Sequence, residues 1–185
     1  MSDVAPVYFP IDANTSNSIL KNVYQTHGKI AAIVAAKKEL PVITNKAESE
    51  HAANEGLFIA LEQSSPDIQL IAVGGYQLQA CLSAANSLKK EGIKCSVVAL
   101  LEPGRFRAPR DKTEAEYCHE PASIERILPK SPLRIIVTHT GAEVMAGVLR
   151  QLDLGPHKTT FIGYNNQGGT LNLEGMLNVN GQSAE

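Results

Sequence analysis

The pair Gly74-Gly75 is the first feature of the sequence that could bind a ligand. It follows a nearly unbroken apolar run, and a helical pattern begins soon after Tyr76. A turn from a strand into a helix presents free backbone N–H groups at the positive end of the helix dipole, which favours an anion. The third glycine and the acidic ribose partner of a dinucleotide fingerprint are missing. The alternative to a phosphate site is a glycine pair that only allows tight packing of strand on helix.

A second candidate cluster follows the apolar run 133–138 and consists of His139, Thr140 and Gly141. The carboxyl ends of parallel strands form the rim on which open α/β sheets bind ligands. His139 is therefore the best single candidate for a functional side chain. Its alternative role is that of a structural hydrogen-bonding residue.

A third cluster lies in the polar loop after the apolar run 158–163. The run predicts another strand, so its loop is expected at the same rim. The candidate residues are Tyr164, Asn165 and Asn166. The sequence thus predicts ligand binding along this rim, and it assigns no residue a catalytic or metal-binding role.

The charged stretch 104–123 could also meet a phosphate, because guanidinium groups bind phosphate oxygens in a fork. Its basic residues are Arg105, Arg107, Arg110 and Lys112. The alternative is a solvated loop whose cations are balanced by acidic neighbours. These neighbours are Asp111, Glu114 and Glu116.

The elements that position these residues are clearest in the central unit 66–103. Ile68–Val73 is an apolar, β-branched run typical of a buried parallel strand. Apolar residues then recur at helical spacing from Leu78 until Gly92, a natural residue to end a helix. Cys95–Leu101 is another apolar strand, so the unit reads as a crossover of a parallel sheet. The sequence predicts an α/β fold with an open, mostly parallel twisted sheet and helices on both faces.

The flanking segments predict further elements with the same patterns. The stretch Asp12-Ala13-Asn14-Thr15 is rich in capping side chains and starts a helix that runs through Tyr24, and a buried strand covers 29–36. A polar, proline-bearing linker follows, with a domain boundary near residue 45. A helix is predicted from Ser49, with its core face formed by Ala52, Ala53, Leu57, Ala60 and Leu61. A long loop with one short helix at most covers 104–123, and a strand covers 133–138. A helix over 142–152 with core residues Val144, Val148 and Leu152, a strand over 158–163 and a short helix over 170–177 complete the prediction.

Composition excludes several classes of function. The net charge of −2 leaves no basic excess for nucleic acid, and no stretch reaches the roughly twenty apolar residues of a membrane helix. We therefore expect a cytoplasmic protein that binds neither nucleic acid nor membrane. The three cysteines have no C-x-x-C spacing and are expected to be buried free thiols. They are Cys81, Cys95 and Cys118.

The chain resembles the C-terminal part of the thiamine-diphosphate-dependent phosphoketolases. The central unit, PDIQLIAVGGYQLQACLSAANSLKKEGIKCSVVALLEP, also resembles transketolases in general. The more specific resemblance lies in VYFPIDANTSNSILKNVYQTHGKIAAIVAAKK, IIVTHTGA and FIGYNNQGGTLNLEGMLNVN. One departure is that Thr140 follows His139, where the family has an aromatic residue after a His-Gly pair.

The resemblance implies a domain organisation. Residues 1–45 would be the tail of the preceding pyrimidine-binding domain plus a linker, and residues 46–185 would form a transketolase C-terminal-like domain. The full-length family are lyases that split xylulose 5-phosphate or fructose 6-phosphate with phosphate, giving acetyl phosphate and an aldose phosphate. Thiamine diphosphate and Mg²⁺ serve that reaction.

The resemblance also implies what this chain does not do. The Gly-Asp-Gly run that holds metal and diphosphate in such enzymes is absent, and nothing matches the family's catalytic glutamate and histidine motifs. We therefore expect a chain that binds no cofactor, is inactive alone, and serves dimer packing and active-site closure with the remaining phosphoketolase domains or with itself. The alternative is a regulatory module that binds a phosphorylated metabolite or a nucleotide.

Overall fold

The computed structural model describes residues 3–128, 130–165 and 170–183. The strands are β1 (Val7–Tyr8), β2 (Ala32–Ile33), β3 (Leu57–Leu61), β4 (Ile68–Val73), β5 (Cys95–Leu100), β6 (Leu133–Thr138) and β7 (Thr159–Ile162). The helices are α1 (Ala13–Tyr24), α2 (Lys46–Glu55), α3 (Gly75–Lys90), α4 (Lys112–Tyr117), α5 (Pro121–Ile127), α6 (Ala142–Val148) and α7 (Leu173–Val179).

The main sheet has five strands in the order β3-β5-β4-β6-β7. β4 runs parallel to both β5 and β6, and β7 runs parallel to β6. β3 is the exception, since it pairs antiparallel with β5 at one edge. β1 and β2 form a separate parallel pair. The predicted open, mostly parallel sheet is confirmed.

Hydrophobic cores lie on both faces of this sheet because successive strand residues point to opposite sides. Leu70 of β4 lies in a cluster with Leu78 and Cys81 of α3. Ile71, the next residue, lies in a second cluster with Leu149, which follows α6. Helices therefore cover both faces, as predicted. The predicted burial of the three cysteines is also confirmed, and all three are free thiols.

The predicted start of α1 at Asp12 is confirmed, and this carboxylate does more than cap the helix. It accepts hydrogen bonds from the Thr15 N–H at 2.8 Å, from the Ile43 N–H at 3.0 Å and from the Thr44 N–H at 2.9 Å. Burial alone would raise the Asp12 pKa, but the hydrogen bonds from Thr15 and Thr44 outweigh it and lower the pKa below its ordinary value. Asp12 thus joins α1 to the segment that leads into α2.

The predicted buried strand over 29–36 is wrong. Only Ala32 and Ile33 form a strand, and both are exposed. Their single strand partner among the described residues is β1, and Ile30 beside them is 75% exposed. The apolar sequence is typical of a covered strand, but no covering layer belongs to the part of the chain that the structure describes.

The predicted helix from Ser49 through Leu61 is wrong at both ends. α2 begins after Asn45, whose side chain forms a reciprocal capping box with Glu48. It ends at Gly56, which has a left-handed φ of +76°. The residues beyond it form β3, because pairing with β5 satisfies their backbone groups and buries Leu57.

Two further segments differ from expectation. The stretch 104–123 is not a loop with at most one helix, since it holds α4 and the start of α5 after a turn of 3₁₀ helix. Helix α6 ends at Val148 and buries Met145 rather than Val144, which is 64% exposed. The core face is thus one residue out of register with the predicted one, while Leu152 is buried as expected.

Residues before the predicted boundary near residue 45 pack on the main sheet. Ile11 is fully buried in the first core, and the Phe9 N–H donates to the Leu101 carbonyl at 2.7 Å. The division into domains at this point stays a prediction. No helix within the described ranges has the length and apolar character needed to cross a bilayer.

Candidate ligand site at the strand-end rim

The ends of β4 and β6 lie side by side, because Val73 is the register partner of Thr138. The His139 N–H donates to the Val73 carbonyl at 3.0 Å, which places the histidine beside the glycine turn after β4. The Tyr164 N–H donates to the Thr140 carbonyl at 2.9 Å, so the third cluster adjoins the second. The rim therefore brings the candidate segments together, while their role in ligand binding stays a prediction.

Both glycines of the turn lie in close contacts, but only Gly74 has a backbone conformation that requires glycine. Gly74 has a φ of +117°, and a Cβ atom there would lie 2.4 Å from Gln77 Oε1 and 3.4 Å from His139 Cβ. A Cβ atom at Gly75 would lie 2.2 Å from Leu40 Cδ1. Tight packing thus explains in part why glycines occupy both positions. The atom beside Gly74 is the amide oxygen of Gln77, so the turn also adjoins a polar side chain.

Four of the candidates line one cavity of about 370 Å³: Gly74, Gly75, Tyr76 and His139. The Tyr76 hydroxyl accepts a hydrogen bond from the Lys38 N–H at 3.1 Å, which anchors the segment before α2 to α3. Imidazole, lysine and amide groups therefore converge on this cavity. The arrangement can bind a small polar ligand, and its described lining residues include no Ser, Thr or Cys.

The remaining candidates lie elsewhere. Thr140 lines a different, mainly apolar cavity of about 470 Å³, together with Arg107. Gly141 packs against the residue after β7, and Asn165 is exposed. Asn166 lies outside the described residues. The described candidates therefore do not all line one cavity, although the two cavities share Phe9 as a lining residue.

Sequence reasoning missed part of the first cavity. Gln77 lines it and is only 1% exposed. The predicted core face of this helix begins at the next residue, Leu78, and does not include Gln77. Lys37 and Lys38 line it as well, from a segment that reads as a linker. The local signal was a polar residue within the first turn of an otherwise apolar helix face.

The arginines of the stretch 104–123 are paired with carboxylates of the chain itself. Arg105 Nε donates to Glu102 at 2.9 Å. Arg107 and Arg110 both donate to Glu114, at 3.1 Å and 2.9 Å, and this carboxylate is fully buried. A buried carboxylate that accepts from two guanidinium groups favours a structural role for them over a phosphate clamp.

Glu102, two residues after the end of β5, is a buried ionisable group with unusual surroundings. It is 1% exposed, and its Oε1 atom has no hydrogen-bond partner among the described residues. Burial raises its pKa to about 7, although Arg105 and Lys29 oppose the shift. Burial, followed by the charge of Glu102, also raises the pKa of Tyr8 to about 12.

We predict that Glu102 lowers stability as the pH rises. Its folded-state pKa of about 7 exceeds the ordinary 4.5, so the folded state favours the protonated carboxyl group. The resulting contribution to stability is present at low pH and is lost as the pH rises through 7. Glu102→Gln keeps an acceptor for Arg105 without the charge. It should raise the unfolding free energy by about 1–3 kcal/mol at pH 8 and have little effect at pH 5.

Urea unfolding at the two pH values measures this difference. The exposed Glu62 provides the control, since Glu62→Gln should change stability by less than about 0.5 kcal/mol at both. An equal effect of Glu102→Gln at pH 5 and pH 8 would show that the carboxyl group does not titrate in this range.

The comparison with known proteins identifies the family that the chain resembles. No family model matches the sequence. The chain is 27% identical over 184 residues to a probable phosphoketolase of Bifidobacterium animalis subsp. lactis (strain AD011). The predicted resemblance to the C-terminal part of phosphoketolases is confirmed. The match covers 96% of this phosphoketolase-like chain, which spans only 22% of the length of that relative.

Solved transketolases share the fold of this phosphoketolase-like chain. A transketolase of Pichia stipitis has 17% identity and a TM-score of 0.70, with 97% of this chain and 23% of that chain covered. The transketolase of Campylobacter jejuni has 18% identity and a TM-score of 0.62, with 97% and 24% covered. A split gene transketolase, described as an inactive beta4 tetramer, has 17% identity and a TM-score of 0.67, with 97% and 54% covered. The fold is therefore transketolase C-terminal-like.

The described residues do not fit the metal that phosphoketolases use. Across residues 3–128, 130–165 and 170–183, no group of three or more His, Cys, Asp or Glu side chains is placed to hold a metal ion. The candidates on the first cavity supply an imidazole and a phenol, without a carboxylate. Mg²⁺ prefers oxygen ligands that include carboxylates, so the described lining of this cavity does not fit that metal.

Proposed function

We propose that this chain is the C-terminal domain of a phosphoketolase-type enzyme and is itself non-catalytic. It would take part in dimer packing and in closing the active site. The enzyme would cleave xylulose 5-phosphate or fructose 6-phosphate with phosphate, using thiamine diphosphate and Mg²⁺ held by its other domains. A cytoplasmic location belongs to the same proposal.

One observation carries the proposal: nearly the whole chain matches a probable phosphoketolase, yet it matches only about a fifth of that protein. A segment of this size cannot supply the parts of the enzyme that lie elsewhere. The first cavity on its rim offers binding groups, and its described lining residues include no Ser, Thr or Cys. These facts support a role in which the chain completes an assembly.

The exposed apolar surface around β2 supports an assembly role as well. Ile30 is 75% exposed, Ile33 is 36% exposed, and Tyr24 nearby is 83% exposed. Parallel strands are normally covered on both faces, and a sheet of two strands is marginal by itself. In the proposed assignment the preceding pyrimidine-binding domain supplies the missing cover.

The isolated chain is therefore expected to self-associate through this surface. Light scattering should show an oligomer, and Ile30→Glu should shift it toward the monomer because a charge there cannot be buried without a partner. Val144→Glu is the matched control, since Val144 is also highly exposed but lies on α6. An oligomer that both variants leave intact would remove β2 from the contact, and a monomeric chain would contradict the assembly role.

A further inference from the structure

The first cavity of the rim contains an arrangement that the proposed function does not use. It lies between the glycine turn, the segment that carries Lys37 and Lys38, His139 and helix α7. Its volume of about 370 Å³ suits a small molecule. The polar groups that line it determine which class of ligand it can bind.

Helix α3 opens onto this cavity without a capping side chain. It is 16 residues long, and its N-cap is Gly74, which makes no side-chain hydrogen bond to the first turn. The N–H groups of residues 75–77 have no acceptor within the helix, because the first turn of any α-helix lacks one. These donors, together with the helix dipole, favour an oxyanion.

A second and independent observation concerns the buried amide of Gln77. Gln182 Nε2 donates to the Thr138 carbonyl at 2.6 Å, and this bond fixes the orientation of the Gln182 amide because a carbonyl can only accept. Gln182 Oε1 must then accept from Gln77 Nε2, at 2.8 Å. The orientation of Gln77 is thereby fixed too, and its Oε1 atom is an acceptor.

Gln77 Oε1 has no hydrogen-bond partner among the described residues, and the residue is only 1% exposed. Gln77 lines the cavity, and its Oε1 atom lies against Gly74, only 2.4 Å from where a Cβ atom of that residue would stand. A buried amide oxygen without a donor is unfavourable. The cavity thus presents donors for an anion together with one acceptor for a proton of the ligand.

The charges around the cavity agree with an anionic ligand. Lys37, Lys38 and His139 line it, and no carboxylate is among its described lining residues. Both lysines are exposed and form no ion pair with the described residues, so their charges would steer an anion toward the cavity. Leu171 and Met176 supply an apolar wall on the side of α7.

We propose that this cavity binds an oxyanion that itself carries a hydrogen-bond donor, such as hydrogen phosphate or a hydroxylated phosphate ester. The helix N-terminus and the lysines bind the oxygens, and Gln77 Oε1 accepts the ligand's proton. An oxyanion without a proton, such as sulfate, leaves this acceptor unpaired and binds more weakly. The inference does not depend on the phosphoketolase assignment, because binding is measured on the 185-residue chain itself.

Titrations followed by amide NMR test the proposal at about pH 8 and constant ionic strength, with phosphate, sulfate and sn-glycerol 3-phosphate as probes. Phosphate should shift the resonances of residues 75–77 and bind about tenfold more tightly than sulfate, as expected for one additional hydrogen bond. The relative affinities of phosphate and glycerol 3-phosphate show whether the free anion or an ester is preferred. Equal binding of sulfate and phosphate, or no shift at residues 75–77, would overturn the proposal.

Matched variants separate the groups involved. Lys37→Gln with Lys38→Gln should weaken phosphate binding about threefold. Lys89→Gln with Lys90→Gln, at the other end of the same helix, should leave it unchanged. Gln77→Met should abolish the preference for phosphate over sulfate while resonances remote from the rim stay in place. If the two lysine pairs have equal effects, the anion is not bound at this helix end.

Discussion

Gly163→Ala will destabilise the fold by about 2–4 kcal/mol. Gly163 is the residue after β7, and it touches the first turn of α6. A Cβ atom there would lie 2.1 Å from the Ala142 nitrogen and 2.7 Å from the Gly141 carbonyl carbon. Both are backbone atoms, so no side chain can rotate to make room, and β7 or α6 must shift. Chemical denaturation of both proteins measures the loss.

The control for this prediction lies in α6 itself. Gly147 has no atom within 4 Å of where its Cβ would stand. Alanine is also favoured over glycine in a helix, so Gly147→Ala should stabilise the chain by about 0.5–1 kcal/mol. Opposite signs for the two substitutions would show that contact with α6, rather than a general effect of added methyl groups, is responsible. A stable Gly163→Ala protein would mean that β7 and α6 are farther apart than the structure shows.

Asp12→Asn is expected to cost about 2–4 kcal/mol at neutral pH. The carboxylate is 4% exposed and accepts from the Thr15, Ile43 and Thr44 N–H groups and from the Thr44 hydroxyl. An amide has only one oxygen, so its NH₂ group would face some of these donors. Urea unfolding of both proteins measures the difference.

The pH dependence gives a second test of the same residue. Because the folded-state pKa of Asp12 lies below its ordinary value, its contribution is present at neutral pH and is lost as the pH falls through the folded pKa. The effect of Asp12→Asn should therefore shrink in acid. Asp67→Asn is the control, since Asp67 is exposed and its carboxylate accepts from the Lys94 N–H at 2.8 Å. Similar losses for the two variants would contradict the assigned network.

The central strands and helix could be predicted because each carries its own signal. β4 and β5 are apolar on both faces, and Gly92 ends the connecting segment with a left-handed φ of +81°. By contrast, Leu57–Leu61 has an apolar pattern that suits either a helix or a strand. Only the presence of β5 beside it decides, and no local pattern contains that information.

One missed signal was local. Asn45 followed three residues later by Glu48 is the sequence pattern of a capping box, and α2 begins at Lys46, three residues before Ser49. The exposure of Ile30 could not be read in the same way. Its apolar neighbours predict burial, and burial depends on a layer that the described chain does not contain.

The rim was predictable in outline because parallel strands end at a common edge. His139 and the glycine turn meet there as expected. The link between Gln77 and Gln182, however, joins residues 105 positions apart in the chain. Neither glutamine lies in a motif, so the acceptor that defines the proposed anion site could only be found from the structure.

The most direct test of the central claim is an assay for acetyl phosphate. The isolated chain and the longest gene product that contains it are each incubated with thiamine diphosphate, Mg²⁺, phosphate and xylulose 5-phosphate. We expect acetyl phosphate from the longer product alone, since the proposed assignment places the groups that hold the cofactor on the other domains. Acetyl phosphate formed by the isolated chain, or none formed by either protein, would contradict its assignment as the non-catalytic C-terminal domain of a phosphoketolase.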